Sequence, residues 1–421
     1  MTPSMVFRRA CFRASFGAFP LVLVLLATSL LQPPAAVATS GSQLTAGEAG
    51  SGPHDPVVVD HASRAARFKD VSSSSWALSA INYVGVSHNW MSDYGDRFRP
   101  NLVETREYLA RALVRAFAPG ADVEHSAMKF KDLPKKDRFN GFASVAVKHG
   151  WMGRTNGKFY PKKAVTETTL HRSLVLALGL KNVVEGLNKI HTADGYHFKH
   201  KSSFAPLLLG MQLGFRYNHS TEAMDVDPKT KLPRSEVAYS LWRAALDKTT
   251  YSYKLSAVQR YKTIELPKLS KNMRKVVNFG LRWVGYPYIW GGEWYRKSPS
   301  GYCCGYQPRG GFDCSGLTWW LMKRPEAGYN NTKVRGYRGW SLPQRSSSTM
   351  AAVGNSVNFE NASPGDLMFY ASGSVVDHVD LFIGKGWALD SSSGYGGVSI
   401  VSLANGSWYR DHFRHARDIT G

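Results

Sequence analysis

Phe68-Lys69-Asp70-Val71 returns as Phe130-Lys131-Asp132-Leu133, and the landmarks behind it return in step. Trp90-Met91 recurs as Trp151-Met152, and Phe98-Arg99-Pro100 recurs as Phe159-Tyr160-Pro161. The Trp-to-Phe interval is eight residues in both copies. A third, divergent copy ends in Asp225-Val226-Asp227-Pro228 and the run Leu232 to Leu246, so the period is about 60 residues. Each copy reads as a first helix, a glycine-containing turn and a Phe-x-Pro leading into a second helix. In copy one the first helix covers Ala77 to Val84. The second runs from about Glu104 to Phe117, with Leu109, Leu113 and Ala116 on one face. Paired-helix units of this size bury little alone and gain a core by packing on one another. An all-α bundle of three repeats is therefore expected over 66–246, divided as 66–120, 128–182 and 191–246.

The ends of the chain read differently. Arg8, Arg9 and Arg13 precede an apolar run from Leu21 to Leu31, which is too short to span a bilayer, and Ala36-Val37-Ala38 is a small-x-small cleavage site. Residues 1–38 are expected to be a signal peptide for the general secretory route. Residues 39–65, rich in Ser, Gly, Ala and Pro, read as a flexible linker. No later segment resembles a membrane span, so no membrane contact is expected after cleavage. The net charge of +22 is spread along the chain without a dense Lys/Arg block, which argues against a nucleic-acid partner. An exported basic protein meets acidic wall polymers first. Cys11 leaves with the leader, and Cys303, Cys304 and Cys314 remain. Three cysteines are no disulfide framework, and at least one is left free or paired between chains.

Residues 247–268 hold few periodic apolar positions and read as an interdomain linker. Beyond it, in 269–421, the chemistry concentrates. Phe312-Asp313-Cys314-Ser315-Gly316 opens the apolar run Leu317 to Met322, which looks helical. Asp313 fits an N-cap, which puts Cys314 in the first turn. The positive end of a helix favours thiolate over thiol, and free N–H groups there can bind an oxyanion. His378 opens His378-Val379-Asp380-Leu381-Phe382-Ile383-Gly384, which alternates like a strand. Asp390 follows a glycine turn at Gly384 to Gly386, so a hairpin could bring it alongside His378. A His on a strand edge beside a helix-borne Cys is the general papain-like arrangement. No metal-ligand cluster, phosphate loop or dinucleotide fingerprint is present, so neither metal nor cofactor is expected.

Two families share these motifs. The repeats resemble S-layer-homology (SLH) repeats in the Phe-x-Asp opening, in Trp76-Ala77 and in the Phe-x-Pro before a Thr-Arg-Glu helix start. That resemblance implies a three-part bundle binding an acidic secondary cell-wall polymer. Its recognition helices would start at Thr105-Arg106-Glu107, Thr166-Glu167-Thr168 and Arg234-Ser235-Glu236. Arg106 and Arg234 would touch polymer, and the middle copy lacks the arginine. The C-terminal part resembles NlpC-type cysteine peptidases of bacterial walls. It carries Gly285-Tyr286-Pro287-Tyr288-Ile289-Trp290-Gly291-Gly292, Asp313-Cys314-Ser315-Gly316-Leu317, Leu342-Pro343-Gln344-Arg345-Ser346-Ser347, Pro364-Gly365-Asp366-Leu367 and His378-Val379, in the family's order. The resemblance implies an α+β papain-like cysteine peptidase domain with Cys314 as nucleophile, His378 as base and Asp390 orienting it. Tyr288, Asp313, Ser315 and Arg345 would contact substrate, Asp313 and Ser315 through the free amine of a stem peptide. The implied reaction is cleavage between D-glutamate and the diamino acid of peptidoglycan stems by a secreted, wall-associated protein. An amidase or acyltransferase on the same scaffold, or a non-catalytic wall-binding protein, are the alternatives. The loop Glu293 to Gly311 is longer than usual, and Asp380 stands where the family commonly has Gly.

Overall fold

The computed structural model describes residues 67–297, 306–322, 342 and 344–420. The expected leader (1–38) and linker (39–65), and Cys303 and Cys304, lie outside the described residues. The N-terminal region is built from α1 (Leu78–Asn82, continued by a π turn to Ser87), α2 (Arg106–Phe117), α3 (Asn140–Lys148), α4 (Glu167–Ala177), α5 (Lys181–Leu187), α6 (Phe204–Gln212) and α7 (Arg234–Lys248). The two motifs of each early repeat hold one another. Asp70 accepts the N–H groups of Phe98 and Arg99 at 2.8 Å each, and Asp132 does the same for Phe159 and Tyr160. Arg99 and Tyr160 both take φ of +59°, a left-handed conformation that the bidentate carboxylate helps to hold.

The centre of the repeats is not purely helical. Glu104 N–H donates to Leu232 O, Leu232 N–H to Val165 O and Val165 N–H to Glu104 O, each at 2.9 Å. The three segments before α2, α4 and α7 thus close a ring of short bridges. Each following helix begins with N–H groups that lack intrahelical partners. Here they reach the neighbouring copy: Glu107 to Pro161 O, Thr168 to Pro228 O and Ser235 to Pro100 O.

The two arginines expected to touch polymer serve this joint. Arg234 is fully buried, with Nε on Phe98 O (2.8 Å), Nη2 on Met91 O (2.8 Å) and Nη1 on Glu104 (2.8 Å). Arg106 donates to Phe159 O (2.9 Å) and Gly153 O (2.6 Å) and lies over the Phe159 ring. A forked guanidinium suits two converging carbonyls of the next repeat. The spacing that looks like a recognition helix is, in this chain, the inter-repeat lock.

The stretch expected as a linker is folded onto both halves. It forms α8 (Ser252–Ala257), a 3₁₀ turn to Lys262 and β2 (Glu265–Leu266), which pairs in parallel with β1 (His191–Thr192). Four of its apolar residues, Val258, Tyr261, Ile264 and Leu266, are buried and anchor it, while Tyr253 stays exposed.

Next come α9 (Lys271–Gly280) and a small hairpin of β3 (Glu293–Trp294) with β4 (Gly311–Phe312). Helix α10 (Cys314–Met322) follows, then a sheet of β5 (Asn355–Val357), β6 (Leu367–Tyr370), β7 (His378–Gly384), β8 (Trp387–Ser392), β9 (Gly397–Ser402) and β10 (Phe413–Asp418). The sheet is antiparallel throughout, in the order β5-β10-β6-β7-β8-β9. Alternate residues sort to two faces. Leu367, Phe369, Val379, Leu381, Ile383 and Leu389 share a core with Leu317, Trp320 and Leu321 of α10. Met368, Tyr370, Phe382, Ala388 and Val401 pack with Tyr409 on the other face.

One continuous core runs from Phe68 in the first repeat to Ile400 in β9. Helix α6 makes this continuity: Phe204-Ala205-Pro206-Leu207-Leu208-Leu209-Gly210-Met211 is apolar all round and buried throughout. Gln212 Nε2 donates to Ser399 Oγ (2.9 Å), and Tyr261 Oη donates to Ile400 O (3.1 Å). Arg216 binds Glu167 (3.0 Å), Gly396 O (3.1 Å) and Gly285 O (2.7 Å) at once. Among the described residues, no helix is long and apolar enough to cross a membrane.

Burial alone would raise the Glu167 pKa, but His171 and Arg216 override it and bring it down from 4.5 to about 2. The folded carboxylate therefore binds protons more weakly than the unfolded one, and the stability it contributes is lost as pH falls from 4.5 towards 2. Arg216→Ala leaves Glu167 buried without its guanidinium. We expect a loss of about 3–5 kcal/mol in urea unfolding, with acid unfolding moved to higher pH.

Candidate active site

Asp313 N–H donates to Gly292 O at 2.9 Å, and Asp313 Oδ1 accepts the Gly316 N–H, so Asp313 caps α10 as the sequence suggests. Cys314 is the first residue of that helix and is 7 % exposed. The glycine at 316 is required by close approach, since a Cβ there would lie 2.0 Å from Gly292 O. Ser391 Oγ donates to Phe312 O at 2.7 Å, which ties the segment before Cys314 to β8.

His378 starts β7, and Asp390 lies on β8. The hairpin register pairs Leu381 with Leu389, and Asp390, one residue further along β8, reaches His378 diagonally. Asp390 Oδ1 is 2.8 Å from His378 Nε2. This leaves Nδ1 as the ring nitrogen for the thiol. Burial pulls the imidazole pKa down, but the charges and hydrogen bonds of Asp390 and Cys314 hold it well above 6.5. The environment thus stabilises imidazolium beside the Cys314 thiol.

Tyr288 stands where four acidic groups meet. Burial first, then the charges of Cys314, Asp313, Asp390 and Glu222, push its phenol well above 10. It remains a protonated donor close to the thiol, which suits stabilisation of an oxyanion.

Arg345 gathers the other polar residues. Its Nη1 and Nη2 lie 3.0 Å from the two oxygens of Asp313, and Nη1 donates to Ser315 Oγ at 2.8 Å. Its Nε donates to Glu293 at 2.7 Å, and Nη2 also reaches Gly292 O at 3.2 Å. The structure therefore brings Asp313, Ser315 and Arg345 together, but on each other. An amine approaching Asp313 would have to displace a bidentate guanidinium.

Several neighbours carry no local sequence signal. Tyr409 Oη donates to Asp390 Oδ2 at 2.7 Å and holds the second oxygen of that carboxylate. Tyr370 Oη bonds Asp380 Oδ2 at 2.8 Å. Burial, followed by the charge of Asp390, holds the Asp380 carboxyl well above 3.8. The rings of Tyr370, Trp408 and Tyr409 pack around the imidazole, with centroids within 6.0 Å. Glu222, from a 3₁₀ turn of the third repeat, accepts the Trp290 N–H.

Replacing Asp390 by Asn keeps the shape and removes the charge that holds the imidazole pKa up. We expect kcat/KM to fall by about 10²- to 10⁴-fold on the substrate class proposed below. The alkaline limb of the pH–rate profile should move to lower pH, because the imidazolium then loses its proton earlier.

Comparison with known proteins gives two family matches. Residues 285–417 match the NlpC/P60 family, and residues 67–107 match the S-layer homology domain. Protein P54 of Enterococcus faecium is 30 % identical over 144 residues, covering 34 % of this chain and 22 % of that protein. The bifunctional muramidase/DL-endopeptidase CwlT of Bacillus subtilis is 28 % identical over 140 residues, covering 32 % of this chain and 33 % of its own length. The murein DD-endopeptidase MepH of Escherichia coli is 28 % identical over 156 residues, covering 36 % and 48 %. The chain thus spans less than half the length of each of these relatives. A crystal structure of an NlpC/P60 family protein from Bacillus cereus is 28 % identical, with a TM-score of 0.27, covering 37 % of this chain and 42 % of that one. The chain carries an NlpC/P60 domain at its C-terminal end and an S-layer homology domain ahead of it.

Proposed function

We propose that this protein is a secreted, cell-wall-associated cysteine endopeptidase that hydrolyses peptidoglycan stem peptides between D-glutamate and the diamino acid. The observation that carries the reading is Cys314 at the start of a capped helix, beside an imidazole held in place by Asp390. In this reading the Cys314 sulfur attacks the amide carbon, and the thiol proton resides on His378. Tyr288 and the first N–H groups of α10 stabilise the oxyanion. His378 then protonates the leaving amine as the C–N bond breaks, leaving a thioester. A water molecule, deprotonated by His378, attacks the thioester and releases the new carboxylate and the thiol. Asp390, itself held by Tyr409, orients the imidazole throughout.

Wall association is supported by the S-layer homology domain and by relatives that are endopeptidases of the wall. In this reading any contact with an acidic wall polymer falls to residues other than the buried Arg234, while Arg106 already donates to two neighbouring carbonyls.

Purified muropeptides incubated with wild type and with Cys314→Ala decide the chemistry. We expect product only from wild type, with masses that report the D-glutamate–diamino acid bond. Equal release by both proteins would overturn a cysteine hydrolase, and masses from a D,D bond would overturn the bond assignment. The full-length protein should sediment with isolated walls and lose that binding once the acidic secondary polymer is stripped.

A further inference from the structure

The charge of +22 shows no dense block along the sequence, but the fold gathers part of it. The segment from Asp194 to Lys201 of the third repeat lies along α9 and is fastened to it. Asp194 pairs with Arg274, whose guanidinium lies over the Tyr196 ring at 4.7 Å. Asn278 Nδ2 donates to Tyr196 Oη at 2.6 Å, and Asn278 Oδ1 accepts the Lys199 N–H at 2.7 Å. Helical spacing puts Lys271 and Lys275 on the same face of α9 as Arg274 and Asn278. The Leu281 N–H on Val277 O continues that helix into the turn that carries Arg282.

Lys199, Lys201, Lys271, Lys275 and Arg282 are exposed, and the exposed Lys229 joins them. Burial of part of its stem first, then the charges of Lys229 and Arg282, draw the Lys201 pKa below 10.5, so these cations feel one another. The acids beside them are engaged. Asp194 is on Arg274, and Asp227 Oδ1 accepts the Lys229 N–H at 2.7 Å. None of the six cations has an ion-pair partner among the described residues. Like charges held together by the fold without a counter-charge favour an anion from outside.

Three features narrow the anion. Five lysines to one arginine are mostly point charges, which suit phosphate, whereas a planar carboxylate favours the forked guanidinium. The row from Lys271 to Arg282 spans about 16 Å at the helical rise, which suits a chain of repeated charges better than one small anion. None of the large apolar side chains exposed among the described residues lies on α9 or on 194–201, so the patch has nothing to insert into a lipid surface.

We propose that this patch, shared by the third repeat and α9, is a docking surface for a phosphodiester-linked wall polymer. This rests on the wall-associated reading above and deepens it. Polymer contact is assigned to a surface away from the starts of α2, α4 and α7, where the sequence puts it. The polymer touches the repeat region and the entry to the catalytic region at once, so the catalytic region is held on the wall directly.

The test uses the full-length protein and two soluble probes of similar length: a poly(glycerol phosphate) chain, and hyaluronate as a carboxylate polymer. Calorimetry should show binding of the phosphate chain that weakens as NaCl rises from about 50 to about 300 mM, and weaker binding of hyaluronate. Lys271→Gln, Lys275→Gln and Arg282→Gln together should weaken binding of the phosphate chain about 100-fold, at about five-fold per charge. Removing as many charges from the second repeat, as Lys129→Gln, Lys135→Gln and Lys136→Gln, should leave it within about two-fold. Equal losses in the two triple variants, or hyaluronate binding as tightly as the phosphate chain, overturn the proposal. All six substituted side chains are exposed, so unchanged urea midpoints separate lost docking from lost folding. Isolated walls are scored separately. Binding of the phosphate chain without sedimentation on walls counts against wall association and leaves the patch assignment standing.

Discussion

Arg216 is the interaction on which the two halves of this molecule depend. One buried guanidinium serves a carboxylate in the second repeat and two carbonyls in the catalytic region. Those carbonyls flank the active site. Gly285 opens the Gly-Tyr-Pro-Tyr turn, and Gly396 O also accepts the Tyr288 N–H at 3.2 Å. Tyr288 is thus positioned by a residue of the helical region. A rigid planar fork suits this, because Nε, Nη1 and Nη2 each reach a separate acceptor from one fixed plane.

The same logic explains the interface as a whole. Two charged clusters there are paired: Glu167 with Arg216 and His171, and Arg274 with Asp194. Apolar contact comes from α6, which has no polar face to turn outward. Burying both sides of one helix between repeat and sheet removes the water that a loose tether would leave there, which is why the two regions share a core.

How much of this was legible in the sequence depends on distance along the chain. Asp313 as a cap, Cys314 in the first turn and the hairpin joining His378 to Asp390 are local, and turn and strand signals describe them well. Glu222 beside Trp290, Tyr409 on Asp390 and Arg216 on Gly396 are pairings between separate elements, with no local signature to mark them. Residues 247–268 misled for a related reason: periodicity is weak there because the buried residues Val258, Tyr261, Ile264 and Leu266 lie on a short turn and a two-residue strand rather than along one helix face. Arg106 and Arg234 misled in the opposite way. Their helix-start motif is real, but the motif does not say whether the guanidinium faces solvent or the next copy.

The ring formed by Glu104, Val165 and Leu232 has a consequence for how such a region can change. In an open solenoid each end offers a free face, and copies can be appended or lost one at a time. Here each segment donates to one neighbour and accepts from the other, and no end is left over. A fourth copy would find no unpaired edge, and removal of one would strand a donor on one side and an acceptor on the other. Copy number is therefore fixed by closure, and divergence can proceed only by substitution within the copies, as the third repeat illustrates.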